Sequence, residues 1–405
     1  MTSSYGELRD SGIAWIARVP AHWETTQFRA VFEPRRVKNT GMAESNLLSL
    51  SHGRVIRRNI DSPDGLVPGS YETYQIVERN DVVFRFTDLQ NDKKSLRSAR
   101  VTERGIITSA YVAVKPVGID ARYADYLMRS YDLSKVFYGL GGGVRQSLKF
   151  SDVALLPVLL PTKVEQSTIA AYLDRETRRI DELIKEQQGL ITSLRERRAA
   201  VIDSSVAVAT GDRVRLRFLF SPSDVRNRPD ERVLSVYREY GVIPKDSRDD
   251  NFNQTPENVE RYLLVRPGDL VVNKMKAWQG SLGVSKYRGI VSGDYEVLRP
   301  TTERLLPEFA HSYLRSARMV AEYAVRSKGI RPSQWRLYWR ELADVEVPTP
   351  PIAEQERIVQ IIATETARID ELISESDALI ALSRERRGAI ITAAVTGQID
   401  VQKAA

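Results

Sequence analysis

Two stretches of the chain carry apolar residues at spacings of three, four and seven, with charged residues between them. In the first, Ile169, Leu173, Ile180, Leu183, Ile184, Leu190, Ile191, Leu194, Val201 and Ile202 recur in this way. In the second, Ile358, Ile362, Ile369, Leu372, Ile373, Leu379, Ile380, Leu382 and Ile390 do so. Such spacing puts one apolar stripe on each of two long helices. Proline stands only before them, as Pro161 and as Pro350 and Pro351, where a helix start tolerates it. Thr210-Gly211 and Thr396-Gly397 follow them, consistent with glycine-assisted termination. Elsewhere short β-branched and aromatic runs, at 81–86, 106–114, 269–272 and 295–298, predict strands. Short helices are predicted over 121–131 and 307–327. The expected fold class is α+β.

The two helical stretches are copies of each other. Residues 165–202 align with 354–391 at an offset of 189 without a gap, and 20 of 38 positions are identical. The repeat runs on, more weakly, into the segments between. FRAVFEPRRVKN (28–39) matches LRFLFSPSDVRN (216–227), and YQIVERNDVV (74–83) matches YLLVRPGDLV (262–271). GIITSAYVAVKP (105–116) matches GIVSGDYEVLRP (289–300), and YLMRS (126–130) resembles YLRS (313–316). The chain is thus a tandem duplication with a pseudo-two-fold plan. Expected boundaries are a globular block over 1–160, a helix over 161–210, a second block over 211–348 and a second helix over 349–405. A helix of 38 residues spans roughly 57 Å. Helices with one narrow stripe need a partner, and an antiparallel two-helix coiled coil is expected. It would place Ile180, Leu183, Ile184 and Leu190 near Ile369, Leu372, Ile373 and Leu379.

Charge adds to this plan. The formal net charge is +7. Both globular blocks carry +5, the first helical segment is neutral and the second carries −3. Two polyanion-facing modules joined by spacers have this distribution. In the first block Lys93, Lys94, Arg97 and Arg100 follow a strand; in the second Asn273, Lys274, Lys276, Trp278 and Gln279 follow the matching strand. Another loop in each block ends on glycine and arginine: Gly143, Arg145, Gln146 and Ser147 against Gly329, Arg331, Ser333 and Gln334. Arginine pairs bidentately with guanine and glutamine with adenine, whereas lysine and serine more often hold phosphate. Arg35, Arg36 and Lys38, with Arg226 and Arg228, form a second paired basic cluster suited to phosphate. The RERR runs, with Arg195, Arg197, Arg198, Arg384, Arg386 and Arg387, admit three readings: a solvated helix face, a surface for a shared partner, or a phosphate contact.

Catalytic patterns are missing. There are no cysteines and only three histidines, His22, His52 and His311, none at metal-ligand spacing. No zincin, phosphate-loop or nucleophile-elbow motif occurs, and no glycine fingerprint for an adenosyl or dinucleotide cofactor. Gly141-Gly142-Gly143 lacks the strand-then-helix context of a phosphate cradle. No cofactor or metal is expected, and no catalysis by this chain alone. The polar, mixed-charge opening MTSSYGELRD is not a secretory signal, and no apolar run approaches about 18 residues. A cytoplasmic protein is expected. Two alternatives stand: a DNA-cleaving or DNA-modifying enzyme acting alone, and a purely structural coiled-coil adaptor.

Taken together, DSGIAWIARVPAHWE (10–24), the RIDELI…RERR helices, AVTGQI (394–399) and the Tyr74–Val83 and Tyr262–Val271 strands resemble the specificity subunit of type I restriction–modification systems. The resemblance covers essentially the whole chain. It implies two target-recognition domains, each reading one half of a bipartite, asymmetric site in double-stranded DNA. It also implies helices that set the gap and dock methyltransferase subunits, two of them being expected. Adenine methylation and ATP-driven cleavage, the host-defence activities, would then reside in those and in restriction subunits.

Overall fold

The computed structural model describes residues 5–60, 70–89, 92, 95–140, 147–247, 255–256, 258–331 and 334–403. The chain divides into two compact units. Unit 1 comprises Met1–Gln187 with Ala378–Ala405, and unit 2 comprises Gln188–Asp377. Both boundaries fall inside the long helices, which run Lys163–Ala207 and Ile352–Val395. Each unit therefore takes part of both helices. The first helix starts on a capping box: Glu165 accepts the Thr162 N–H and hydroxyl, and the Thr162 oxygen accepts the Glu165 N–H.

In unit 1 the central sheet is antiparallel, in the order Phe32–Pro34, Val112–Pro116, Val82–Phe84, Ser98–Arg100. Ladders flank it: Gln75–Val77 with Gly105–Ile107, Leu48–Ser51 with Arg54–Arg57, and Glu24–Gln27 with Pro157–Leu160. Unit 2 repeats the plan. Its sheet runs Phe220–Pro222, Tyr295–Pro300, Leu270–Asn273, Leu282–Val284. Its ladders are Leu263–Val265 with Gly289–Val291, Leu234–Tyr237 with Gly241–Pro244, and Asp212–Arg215 with Glu346–Thr349. Unit 1 adds a hairpin, Leu8–Ile13 with Ile16–Pro20, whose Ile13, Ile16 and Val19 share a core with Val401 near the other end of the chain. Gly397, at φ +73°, permits this closure, because a Cβ there would lie 2.2 Å from Pro20 Cδ.

Two predicted elements are subdivided. The 106–114 run is two strands, separated by a turn that the Tyr111 N–H closes onto the Thr108 carbonyl at 3.1 Å. The 307–327 helix is broken into Pro307–Leu314 and Ala317–Arg326. The break is stabilised from afar: Asp203, on the first long helix, accepts the Ala317 N–H at 2.8 Å and so caps the second piece.

Both long helices supply core. In unit 1, Ile169, Ala170 and Leu173 pack with Ile391, Ala394 and Val395 among Trp23, Phe28, Phe84 and Tyr123. In unit 2, Val206 packs with Ile358 and Ile362 among Leu216, Phe220, Phe309 and Tyr323. The two helices pair antiparallel. Asp181 sits against Arg387 at 3.4 Å in unit 1, and Arg198 against Asp370 at 2.8 Å in unit 2. These two pairs are each other's counterparts under the repeat, Asp181 matching Asp370 and Arg198 matching Arg387.

That register corrects the expected side-chain pairing. Residues 180–184 lie alongside the second RERR run in unit 1, and 369–373 alongside the first in unit 2, rather than against one another. In two antiparallel copies a residue meets its own counterpart only at the midpoint. The buried positions fall within the expected stripes, but not all the residues expected to pair are among them. Ile180, Ile191, Ile369 and Ile380 are buried and Leu183, Ile184 and Ile373 half-buried, while Leu190, Leu372 and Leu379 are exposed. Leucine and isoleucine are adjacent at these places, and packing selects the β-branched one.

One buried residue per copy ties helix to block. Gln166 accepts the Asp120 N–H and donates to the Pro161 carbonyl, both at 2.8 Å. Its counterpart Gln355 accepts the Leu306 N–H and donates to the Pro350 and Arg304 carbonyls, all at 2.8 Å. Replacing either by leucine strands buried backbone groups, at about 1–3 kcal/mol. Gln166→Leu and Gln355→Leu are expected to lower stability by similar amounts in urea unfolding; loss in only one would show that the two units are not built alike.

Candidate nucleic-acid interface

The two candidate loops of each unit are neighbours. In unit 2 the strand Leu270–Asn273 leads into residues 274–280, and the second loop returns through residues 328–337. The Leu337 N–H donates to the Lys274 carbonyl at 2.9 Å, and Trp278 meets Trp335 edge-on at 5.4 Å between ring centres. Lys328 and Arg336 close the second loop with two backbone hydrogen bonds of 2.9 Å. Unit 1 uses the counterpart bond: the Leu148 N–H donates to the Phe86 carbonyl at 3.0 Å. Backbone hydrogen bonding, which is indifferent to side-chain identity, thus joins the loops in both copies.

Exposure sorts the candidate side chains. Lys276, Gln279, Arg331 and Gln334 are exposed in unit 2, as is Ser147 in unit 1. Lys274 is half-buried and donates to the Gly293 carbonyl at 2.6 Å; the Trp278 N–H donates to the Met275 carbonyl at 3.1 Å. Lys93, Lys94, Arg145, Gln146 and Ser333 lie outside the described residues.

Arg97 is corrected from surface to scaffold. It is 0% exposed. Its guanidinium donates to the Thr87 and Asp92 carbonyls and to the Tyr138 hydroxyl, and its backbone N–H to Asp132. A buried guanidinium is tolerable only with its donors occupied, and here carbonyls of its own loop occupy them. Arg35 is also committed internally, bonding at 2.7 Å to Asp81, which is 1% exposed. Asp81 caps its own turn by accepting the Glu78 N–H at 2.8 Å, and Asp269 does the same with Arg266 while pairing with Arg299. Arg36, Lys38 and Arg228 are exposed, and Arg226, also exposed, pairs with Asp224 at 2.6 Å. In the RERR runs Arg198 and Arg387 serve the helix pair, whereas Arg195, Arg197, Arg384 and Arg386 are exposed.

Two further arginines went unread in the sequence. Arg129 is buried and donates at 2.6 Å to the Gly53 and Ser98 carbonyls, and its counterpart Arg315 donates at 2.6 Å to the Arg238 carbonyl. Each binds the hairpin turn of its own unit. The signal was the YLMRS/YLRS repeat, which retains arginine together with tyrosine, leucine and serine.

The histidines have structural surroundings. His22 bonds Glu165 at 2.8 Å, and His52 lies 3.0 Å from the Ser51 hydroxyl. His311 packs against Gly241 and Gly283, where a Cβ would lie 2.6 and 3.1 Å from its ring. Arg315 donates to its Nε2 at 2.7 Å, which leaves Nδ1–H facing the Val284 carbonyl at 3.2 Å. Burial first, then the Arg315 charge, pushes its pKa down to about 4. Among the described residues no group of three or more His, Asp or Glu gathers as for a metal ion. No helix among them is long and apolar enough to cross a membrane.

No family model matches the chain, and no curated protein sequence does. Its structure does have counterparts. A chain from a structural study of complex assembly and conformational transition in the type I R-M system superposes with a TM-score of 0.67 at 15% identity, covering 94% of this chain and 99% of that one. This chain has the fold of that R-M system protein. The HsdS subunit from Thermoanaerobacter tengcongensis aligns over 94% of this chain and 98% of its own, at 15% identity and a TM-score of 0.48. The fold is shared with the first of these over almost the whole length of both chains.

Two outcomes test these assignments. Arg97→Ala is expected to destabilise unit 1 by about 3 kcal/mol, whereas Lys276→Ala leaves stability within about 0.5 kcal/mol; equal melting of the two variants would contradict the burial argument. For His311, the unfolded chain takes up a proton near 6.5, which the folded chain refuses until about 4. The unfolded state binds more protons in that window, so stability falls as pH drops from 6.5 to 4, by up to about 3 kcal/mol. Above 6.5 the group contributes no pH dependence. In urea midpoints measured against pH, His311→Gln should flatten this part of the profile.

Proposed function

We propose that this chain is the non-catalytic DNA-specificity subunit of a type I restriction–modification complex, working in the cytoplasm. Each unit reads one half of a bipartite, asymmetric site in double-stranded DNA through its pair of joined loops. The observation that carries this reading is the doubled loop pair. The same backbone bond, Leu148 to Phe86 and Leu337 to Lys274, presents unlike side chains on two like frames. Exposed Arg331, Gln334, Lys276 and Gln279 have the donors and acceptors for base edges and phosphates. The shared R-M fold and the sequence resemblance support the same reading.

In this reading the two helices fix the gap between half-sites. Arg195, Arg197, Arg384 and Arg386, exposed on them, face two methyltransferase subunits. Those subunits methylate adenine, and restriction subunits supply ATP-driven cleavage. The chain itself carries no catalytic role and no cofactor.

With methyltransferase partner, the chain is expected to protect two short DNA segments around a degenerate centre, with affinity falling steeply as salt rises. Removing one helical turn from both long helices should change the preferred gap. One continuous protected element, or cleavage or methylation by the isolated chain, would overturn the proposal.

A further inference from the structure

The second loop of unit 2 presents an apolar side chain that no described residue covers. Ile330 is 95% exposed. Its backbone is nevertheless well placed. Lys328 and Arg336 close the hairpin below it, and Gly329 lets the strands approach, since a Cβ there would lie 2.6 Å from the Gln334 carbonyl oxygen. Trp278 and Trp335 seat the hairpin on the neighbouring loop.

A single exposed aliphatic residue is ordinary in itself. Three features set this one apart. It adjoins Arg331 and shares its loop with Gln334, both exposed and both of the types that bond base edges bidentately. The joined loops also carry Lys276 and Arg336, exposed cations that suit a polyanion rather than an apolar protein groove. Finally, the repeat keeps a β-branched aliphatic between glycine and arginine, Gly143-Val144-Arg145 against Gly329-Ile330-Arg331, although the residue that follows differs. A β-branched side chain is stiff at χ1 and loses little rotamer freedom on contact. The apolar group that a DNA major groove offers beside its hydrogen-bonding edges is the thymine C5-methyl.

Resting on the DNA-reading role above, we propose that Ile330 reads a thymine through its methyl group in the half-site bound by unit 2. The side chain selects T over C at one position, while Arg331 and Gln334 address neighbouring bases.

The test uses the full chain with methyltransferase partner and a randomised duplex library. The best-retained duplex is resynthesised with deoxyuridine replacing each thymidine in turn, which removes only the methyl group. At one position the wild-type chain is expected to lose about ten-fold in affinity. Ile330→Ala should show the same loss on the thymine duplex and no further loss on the uracil duplex, and Ile330→Val should recover most of it. As Ile330 is exposed, both variants are expected to melt with the wild type. Wild-type binding that ignores every uracil substitution overturns the inference while leaving DNA reading intact. So does an Ile330→Ala variant that still responds to the missing methyl. A chain that retains no duplex at low salt overturns the DNA-reading role, and this inference with it.

Discussion

Neither unit closes its core without both long helices. In unit 1, Ile169 and Leu173 come from one helix and Ile391 and Val395 from the other; in unit 2, Val206 comes from one and Ile358 and Ile362 from the other. The helices are therefore walls of the two cores as well as connections between segments of chain. Burial of such side chains, at about 1.5–3 kcal/mol each, outweighs the exposed ion pairs beside them. The pairs Asp181–Arg387 and Arg198–Asp370 supply register rather than energy, because a slip by one residue would separate both.

This division of labour accounts for which residues the duplication retained. Identical helix positions have identical tasks: Gln166 and Gln355 bind the start of a block helix, and Thr177 and Thr366 bond back to Leu173 and Ile362 at 2.7 Å. In the loops the contact shared by the two units is made by backbone, which frees exposed side chains such as Lys276 and Arg331 from positioning it. A loop residue can change without losing the bond that positions the loop.

Much of this was legible from periodicity and from the repeat, because both are local or self-referential signals. The helices, the prolines before them, the glycine that ends the second and the repeated plan of the chain came through in that way. What failed depended on distant partners. The break at residues 315–316 is stabilised by Asp203, more than a hundred positions upstream, and no local pattern announces it. The stripes themselves match the buried positions, but at Leu190-Ile191 and Leu379-Ile380 two apolar residues adjoin, and only packing decides that the isoleucine is the buried one. Arg97 looked like a surface cation because arginine usually is one. Its burial follows from the carbonyls of Thr87 and Asp92, which curl around it.

Arg97 also marks where the separation of folding from surface display is incomplete. In unit 1 a cation of the first loop is consumed in shaping that loop, with Tyr138 completing its shell. In unit 2 the matching loop is held by the Trp278–Trp335 contact and by Lys274 on the Gly293 carbonyl, so aromatic packing replaces a buried charge. Two unlike solutions to one structural problem arise naturally after duplication. Each copy needs only some interaction that keeps the same backbone bond closed, and that bond fixes the frame without specifying the side chains it displays. Unlike scaffolds under like frames then present unlike surfaces, which is what the proposed pair of readers of an asymmetric site would require.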